Sequence, residues 1–433
     1  MARLLYSIVL WLALPLVLVR LLWRARLQPE YREHWYERFG RYPAAAPDMA
    51  GPTIWLHAVS VGEVHAARPV VAALRARHPD NRLLLTCMTP TGRATALALF
   101  GNDRNLVVTY LPYDYPFALR RFLRRFRPRL GILLETELWP NLMAECAAQG
   151  VPVMLANARL SARSASGYRH FDVLARPAFA GLALVAAQTA ADSERLAERG
   201  ARRITVTGNL KFDATPDNDA GDRGRAWKTA LGARRVVLAA STREGEEALL
   251  LDALVPLLAA GHLLVIVPRH PQRFDAVARL LETRGLRHAR RSGSAPPPPH
   301  TQVWLGDSMG EMPAYYALAD CTYVGGSLLP YGGQNMIEAA ACGCPVLIGP
   351  HTWNFSEAAA AAVDSGAALR VADAGALTES AGRLLGDAAE RERMSSAAIA
   401  FARAHRGATE RTMALIEPLL RGAEPGLSGS ATR

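Results

Sequence analysis

Glu63, Glu135 and Lys211 each stand where the chain has just left an apolar run, and their types suit the transfer of a group to a hydroxyl. Glu63 closes the loop Val59-Ser60-Val61-Gly62-Glu63, after the expected strand Thr53 to Ala58. A carboxylate there can take a proton from an attacking hydroxyl, or it can simply favour a helix start by about 0.3–1 kcal/mol. His57 and His65 lie nearby and compete for the role of base. Glu135 and Glu137, in Leu134-Glu135-Thr136-Glu137-Leu138-Trp139-Pro140, follow the apolar run Leu130 to Leu134. Carboxylates at a buried strand end are costly without partners, so Glu135 reads as orienting a cation or stabilising developing positive charge. Lys211, in Gly208-Asn209-Leu210-Lys211-Phe212-Asp213, is one of two lysines in the chain, with Lys228. It can meet a phosphate or carboxylate as a point charge, or be an ordinary surface lysine.

A second group of residues reads as an anion and nucleotide site. Gly325 to Val346 begins as a glycine-rich loop after the strand Cys321 to Val324, and a short helix is expected from about Asn335. Glycines let backbone N–H groups approach a phosphate, and a helix start adds a positive dipole end. Glu338, about one turn into that helix, could hydrogen-bond ribose hydroxyls. Neither the P-loop nor the G-x-G-x-x-G pattern is present, and the bland alternative is a tight strand-to-helix turn of any α/β protein. Ser241-Thr242-Arg243-Glu244-Gly245-Glu246-Glu247, Pro268-Arg269-His270-Pro271 and Met309-Gly310-Glu311 also follow strands. The first offers helix-capping chemistry and an anion site, Arg269 a cation, and Met309 to Glu311 backbone groups for a base.

Positioning these residues takes two sets of alternating strands and helices with short connections, the signature of βαβ units and parallel sheets. The polar, turn-rich Phe212 to Arg225 reads as the linker, and the cleft between two α/β halves as the ligand site. The expected organisation is a membrane anchor at 1–26, a first Rossmann-like domain at 27–212, a second at 213–422 and a disordered tail at 423–433. Leu4 to Val19 is apolar apart from Ser7, and Arg20, Arg24, Arg26, Arg32, Arg38 and Arg41 follow it. The run is short for a span, which needs about 20 residues, yet flanking arginines can snorkel. A basic flank with no small-x-small cleavage site reads as an uncleaved anchor with the body in the cytoplasm, an interfacial helix being the competitor. The chain of 433 residues carries a formal charge of +11. That fits an anionic partner, while few aromatics and no basic-aromatic motif argue against nucleic acid. The arginines from Arg120 to Arg129 read as a solvated face or a contact with anionic lipid. Five cysteines without CxxC or His/Cys metal spacing read as buried thiols.

Taken together, the strings His57 to Val64, Glu135 to Asn141, Asn157-Ala158-Arg159-Leu160-Ser161, Gly208 to Asp213, Pro268 to Pro271, Asp307-Ser308-Met309-Gly310-Glu311 and Gly325 to Pro345 resemble the 3-deoxy-D-manno-octulosonate (Kdo) transferases of lipopolysaccharide biosynthesis. The resemblance spans nearly the whole chain. It implies a GT-B fold and an inverting, metal-independent transfer of Kdo from CMP-Kdo to a lipid A precursor, lipid IVA. That reaction needs no cofactor and runs at the cytoplasmic face of the bacterial inner membrane, against an anionic membrane surface. By position, Glu63 corresponds to the base, and Glu135 and Lys211 to transition-state stabilisers. Pro268, Arg269, Met309, Gly310, Glu311, Asn335, Met336, Ile337 and Glu338 correspond to the CMP site. The chain departs from the family at Gln334 and Met336, where Gly-Gly-His-Asn-Pro is frequent, and at Arg243, where histidine is frequent. The competing readings are a GT-B glycosyltransferase using a UDP-sugar, a nucleotide-sugar epimerase, and a non-catalytic anchored scaffold that binds lipid or nucleotide.

Overall fold

The computed structural model describes residues 1–43, 52–214, 218–293 and 296–422. The expected tail at 423–433 lies outside them. Two compact units emerge: Met1–Ala214 joined by the chain from Arg406 onward, and Thr215–His405.

The first unit is built on seven strands: β1 (Thr53–His57), β2 (Arg82–Cys87), β3 (Leu106–Tyr110), β4 (Pro128–Leu134), β5 (Val153–Ala158), β6 (Leu184–Ala187) and β7 (Ile204–Val206). All pair in parallel, in the order β3-β2-β1-β4-β5-β6-β7. Helices cover both faces, so the central strands are continuous apolar runs, and β1 is buried from end to end. Trp55 of β1 packs against β4, where a Cβ at Gly131 would come 2.8 Å from the indole ring. From β1 the chain winds outward through β2 and β3, then returns to lay β4 on the other side of β1. That reversal opens a crevice beyond the carboxyl ends of β1 and β4, where open α/β sheets take their ligands.

The second unit repeats the plan with β8 (Val236–Thr242), β9 (Leu263–Pro268), β10 (His288–Arg290), β11 (Val303–Leu305), β12 (Cys321–Val324), β13 (Val346–Ile348) and β14 (Ala368–Arg370). The order is β10-β11-β9-β8-β12-β13-β14, again parallel, and its reversal lies between β8 and β12. These two parallel sheets with their helices are the doubly wound architecture of the GT-B class.

Three features differ from the sequence expectation. The polar stretch read as a linker is largely helical, Asn218–Ala230. Its Trp227 is buried against Trp304 and Tyr315, at 5.1 and 5.7 Å between ring centroids. Strands β10 and β14 are too short to leave a periodic signal. The helix Ala408–Gly422, assigned from sequence to the second half, packs instead on the first. The Asp213 carboxylate accepts the N–H of Gly407 at 2.7 Å and that of Thr409, which caps the helix start, and Arg411 Nε donates to the Thr207 carbonyl at 2.8 Å. Met413, Ile416 and Leu420 then complete one face of the first core.

The N-terminal helix Ala2–Leu27 is long and apolar enough to cross a membrane. One flank rests on the first unit: Ser7 Oγ donates to Asn141 Oδ1 at 3.1 Å, Tyr115 Oη donates to the Leu10 carbonyl at 2.9 Å, and Trp11 meets Tyr115 edge-on. Leu4, Leu5, Leu12, Leu16, Val19 and Leu22 are exposed.

Because Asp213 satisfies the first orphan N–H groups of the returning helix, Asp213→Ala should destabilise the first unit by about 1–2 kcal/mol. Chemical denaturation followed by calorimetry checks this; an unchanged midpoint would show that the helix is held by its apolar face alone.

Candidate active site

In the first unit, the two carboxylates singled out from the sequence flank the reversal, one after β1 and one after β4. Glu63 is the third residue of the helix Val61–Arg77, whose N-cap is Ser60. Its carboxylate reaches back to accept the N–H of Val59 at 2.8 Å and the hydroxyl of Ser60 at 3.0 Å. The Ser60 side chain accepts no N–H of the first turn, so this is not the reciprocal capping box, but the bond from Val59 still ties the helix start to the loop after β1. It also fixes the carboxylate at the mouth of the crevice. Burial pushes Glu63 up to about 7, and the nearby charge of Glu135 adds to the rise, while the two hydrogen bonds pull the other way. A carboxylate tuned to that range is half ionised near neutrality, the condition for a general base.

Glu135 immediately follows β4 in the left-handed region, at φ 58°, an uncommon setting for a residue with a side chain. Its Oε1 accepts from Lys211 Nζ at 2.9 Å. Burial raises its pKa, but the charge and hydrogen bond of Lys211, helped by Arg159, outweigh that and hold the carboxylate below its ordinary range. Glu137 is raised, by burial first, and accepts from Trp139 Nε1 at 3.2 Å. Two neighbouring carboxylates are thus driven apart, Glu135 anionic and Glu63 ready to take a proton, the pattern that separates acid–base roles.

His57 does not compete for that role. It is fully buried, its Nδ1 donates to the Thr86 carbonyl at 3.1 Å, and burial lowers it to about 4. His65 sits on the exposed face of the helix.

The lysine is positioned by a residue to which sequence reasoning gave no role. Asn157, in the strand β5, is buried at φ 52°, and its Oδ1 accepts the N–H of Leu210 at 3.0 Å. Asn209 Oδ1 accepts the N–H of Lys211, also at 3.0 Å. Thr136 Oγ1 donates to the Arg159 carbonyl, tying the loop after β4 to the loop after β5. The left-handed tolerance of asparagine is the one signal that could have pointed to residue 157.

In the second unit, the glycine-rich loop leaves β12 against the bulged end of β8. A Cβ at Gly325 would lie 2.4 Å from the Ser241 carbonyl, so only glycine fits, and Gly326 takes φ 71°. The helix that follows is short, Ile337–Ala341, and begins two residues later than expected, so Glu338 is its second residue rather than a turn inside it. Asn335 Oδ1 accepts the N–H of Ile337 at 3.1 Å. Met336 and Ile337 are buried, so they can offer a ligand only backbone groups. Burial raises Glu338 to about 7, against the pull of Arg269. Arg269, after β9, donates from Nε to Gln334 Oε1 at 3.2 Å. Pro268 is the last residue of β9, and Glu311 is engaged by Arg291 at 3.0 Å and by Ser308. Gly310 has φ 80° and Met309 is exposed beside it.

Glu246 was read as a helix-start residue and does more. It is fully buried and accepts from Tyr323 Oη at 2.5 Å, Gly326 N at 2.7 Å and Arg243 N at 2.9 Å, fastening the loop after β12 to the loop after β8. Among the described residues, no group of three or more His, Cys, Asp or Glu is placed to hold a metal ion.

Residues 33–214 match the family model described as 3-deoxy-D-manno-octulosonic-acid transferase (kdotransferase). The chain is 49% identical over 392 residues to 3-deoxy-D-manno-octulosonic acid transferase of Bordetella pertussis, covering 88% of this chain and 91% of that one. It is 38% identical to the transferase of the same name from Haemophilus influenzae, covering 97% and 99%. Among solved structures, UDP-GlcNAc 2-epimerase from Neisseria meningitidis aligns with a TM-score of 0.58 at 17% identity, over 85% of this chain and all of that one. A putative UDP-N-acetylglucosamine 2-epimerase from Listeria monocytogenes aligns at 0.59 and 15%, over 87% and 98%. At such identities the likeness is one of fold.

Lys211→Met would leave the Glu135 carboxylate buried without its cation, a loss of about 1–3 kcal/mol at neutral pH. Glu135 is depressed in the folded state, so its stabilisation is present above its unfolded value and disappears as pH falls through the folded one. The stability gap between wild type and variant should therefore close on acidification. A gap constant from pH 7 to pH 3, measured by denaturation, would contradict this.

Proposed function

Since this chain belongs to the 3-deoxy-D-manno-octulosonic-acid (Kdo) transferase family of glycosyltransferases, we propose that it transfers Kdo from CMP-Kdo to a lipid A precursor, lipid IVA, with inversion at the anomeric carbon and without a metal. The observation that carries the catalytic assignment is the carboxylate pair at the first unit's reversal, Glu63 raised to about 7 beside Glu135 held anionic by Lys211.

Glu63 takes the proton of the acceptor hydroxyl as its oxygen bonds to the anomeric carbon. The bond from that carbon to the CMP phosphate oxygen breaks on the opposite face, and CMP leaves with the electron pair. Positive charge accumulates on the sugar ring at the crossing point, and pre-set charges aimed at it lower the barrier. Glu135 and Lys211 fill that role, with Asn157 positioning the lysine. In the second unit Arg269 meets the phosphate, backbone groups of Pro268 and Met309 to Glu311 meet the cytosine, and Asn335 to Glu338 meet the ribose, with Glu338 on its hydroxyls. A single phosphate can be neutralised by a guanidinium.

The acceptor is a lipid, and this chain carries the means to meet a membrane. The apolar helix Ala2–Leu27 exposes leucine and valine side chains, and Arg24 and Arg26 lie in its last turn. The helix Pro116–Phe126 buries Leu119, Phe122, Leu123 and Phe126 while Arg120, Arg121, Arg124 and Arg125 face outward. An anionic leaflet suits that face, and the positive-inside rule puts the body at the cytoplasmic side of the inner membrane.

Incubation with CMP-Kdo and lipid IVA, read by mass spectrometry of the lipid, tests the assignment; product from a UDP-sugar instead would replace it. Glu63→Gln should lower transfer by about 10²–10⁴-fold and leave CMP affinity within about twofold. A base must be ionised, so wild-type kcat/KM should fall as pH drops below about 7, a limb that Glu63→Gln lacks. Near wild-type transfer by that variant would remove Glu63 from the chemistry.

A further inference from the structure

The second unit holds two guanidinium groups at its reversal, yet a CMP leaving group brings a single phosphate. Arg243 follows β8, Arg269 follows β9, and the glycine-rich loop follows β12. Gly326 joins them: a Cβ there would lie 3.5 Å from Arg243 Cγ, 3.4 Å from Tyr331 Cβ and 3.2 Å from Gln334 Nε2. Arg269 is tied through its Nε to Gln334, at 3.2 Å, which leaves its two terminal nitrogens to a ligand.

Arg243 is built into place rather than left on the surface. Its N–H donates to buried Glu246 at 2.9 Å. Its guanidinium carbon stands 4.8 Å from the centroid of Tyr331, a cation–π contact. The platform is itself fixed, because Tyr331 Oη donates to the Glu244 carbonyl at 3.0 Å. Arg243 Nη1 donates to His270 Nε2 at 3.2 Å, which requires that nitrogen to be unprotonated. Burial and the charges of Arg243, Arg269 and Arg273 lower His270 in the matching direction.

The charges around this cluster are unbalanced. Arg273 is satisfied by Glu247 at 2.9 Å and Glu244 at 3.5 Å. Among the described residues, neither Arg243 nor Arg269 has a carboxylate within ion-pair distance. Glu338 acts on Arg269 only at longer range, and burial favours its neutral form. Two fixed, uncompensated guanidinium groups beside one loop call for a ligand with two anionic groups.

We propose that Arg243 binds the carboxylate of the donor sugar while Arg269 binds the phosphate, so that the second unit recognises an acidic sugar nucleotide by both of its anions. This rests on the donor assignment above. A 2-keto sugar acid carries its carboxylate on the anomeric carbon itself, one bond from the phosphate oxygen, so paired cations beside one loop match its spacing. A guanidinium fork grips a carboxylate through parallel N–H bonds. With its charge balanced the carboxylate is held as the leaving group departs, and a neutral hexose leaves Arg243 uncompensated.

The test compares three probes by calorimetry: CMP, a hydrolysis-resistant phosphonate analogue of CMP-Kdo, and the same analogue with its carboxylate converted to the primary amide. Wild type should bind the acid at least about tenfold tighter than the amide, the range of one charge-assisted hydrogen bond. Arg243→Gln should erase that preference while keeping CMP affinity within about twofold, which also reports that the unit is folded. Arg269→Gln should weaken all three probes together. Tyr331→Leu, which removes the platform and leaves the charge, should reduce the preference in part and serves if Arg243→Gln does not fold. An acid preference that survives Arg243→Gln, or an equal loss for CMP, acid and amide, overturns the proposal. Failure of wild type to bind CMP or the analogue would instead overturn the donor assignment.

Discussion

Taking a carboxylate out of water at the end of an apolar strand costs several kcal/mol unless an opposite charge meets it. Lys211 meets Glu135 at 2.9 Å, and the rest of the first site depends on that pair. Kept anionic, Glu135 raises the proton affinity of Glu63 through space. Without the lysine, burial would push Glu135 toward its neutral form and weaken its influence on Glu63. The pair in turn rests on Asn157, whose side chain fixes the backbone of the lysine loop, and on the left-handed turn that brings Glu135 off the end of β4. The two carboxylates are thus set by backbone geometry at the ends of neighbouring strands.

The second unit uses the same topology for a different purpose. Its reversal gathers guanidinium groups and a glycine-rich loop, and one buried carboxylate, Glu246, holds the frame. Glu246 occupies the N–H of Gly326 and that of Arg243, so neither is free to receive an anion. The burden of anion binding therefore moves to side chains. The departures from the family pattern fall on this frame: Gln334 orients Arg269, and Arg243 stacks on Tyr331. These two are engaged, not idle, while the third departure, Met336, is buried.

Much of this was legible in the residues. Apolar runs ended by Glu63, Glu135 and Gly325 marked strand ends, and strand ends are where such sheets work. The strand Cys321–Val324 stands where the sequence put it, and the runs read from Thr53 and up to Leu134 are strands ending within a residue of expectation. Strand order is another matter. That β1 lies beside β4 depends on which crossover packs best, and no local pattern encodes it; yet that adjacency brings Glu63 near Glu135. The roles of Asn157 and Glu246 were hidden for the same reason, since their partners come from distant loops. The helix Asn218–Ala230 was hidden by its own composition, because aspartates and glycines suggest turns while Trp227, which anchors it, gives a single apolar signal. The helix Ala408–Gly422 carries a plain amphipathic pattern, but amphipathicity does not say which core it serves.

That returning helix bears on how the molecule is made. The first unit's sheet is complete by Val206, but the helix that covers part of its core is translated only after the entire second unit. A ribosome adding about 5–20 residues per second leaves that apolar surface uncovered for roughly ten seconds or more, while the inserted unit already has every residue it needs. The nascent chain therefore passes through a stage in which the second unit can mature and the first still shows part of its apolar core. Until Met413, Ile416 and Leu420 arrive to cover it, that surface is open to association with other chains.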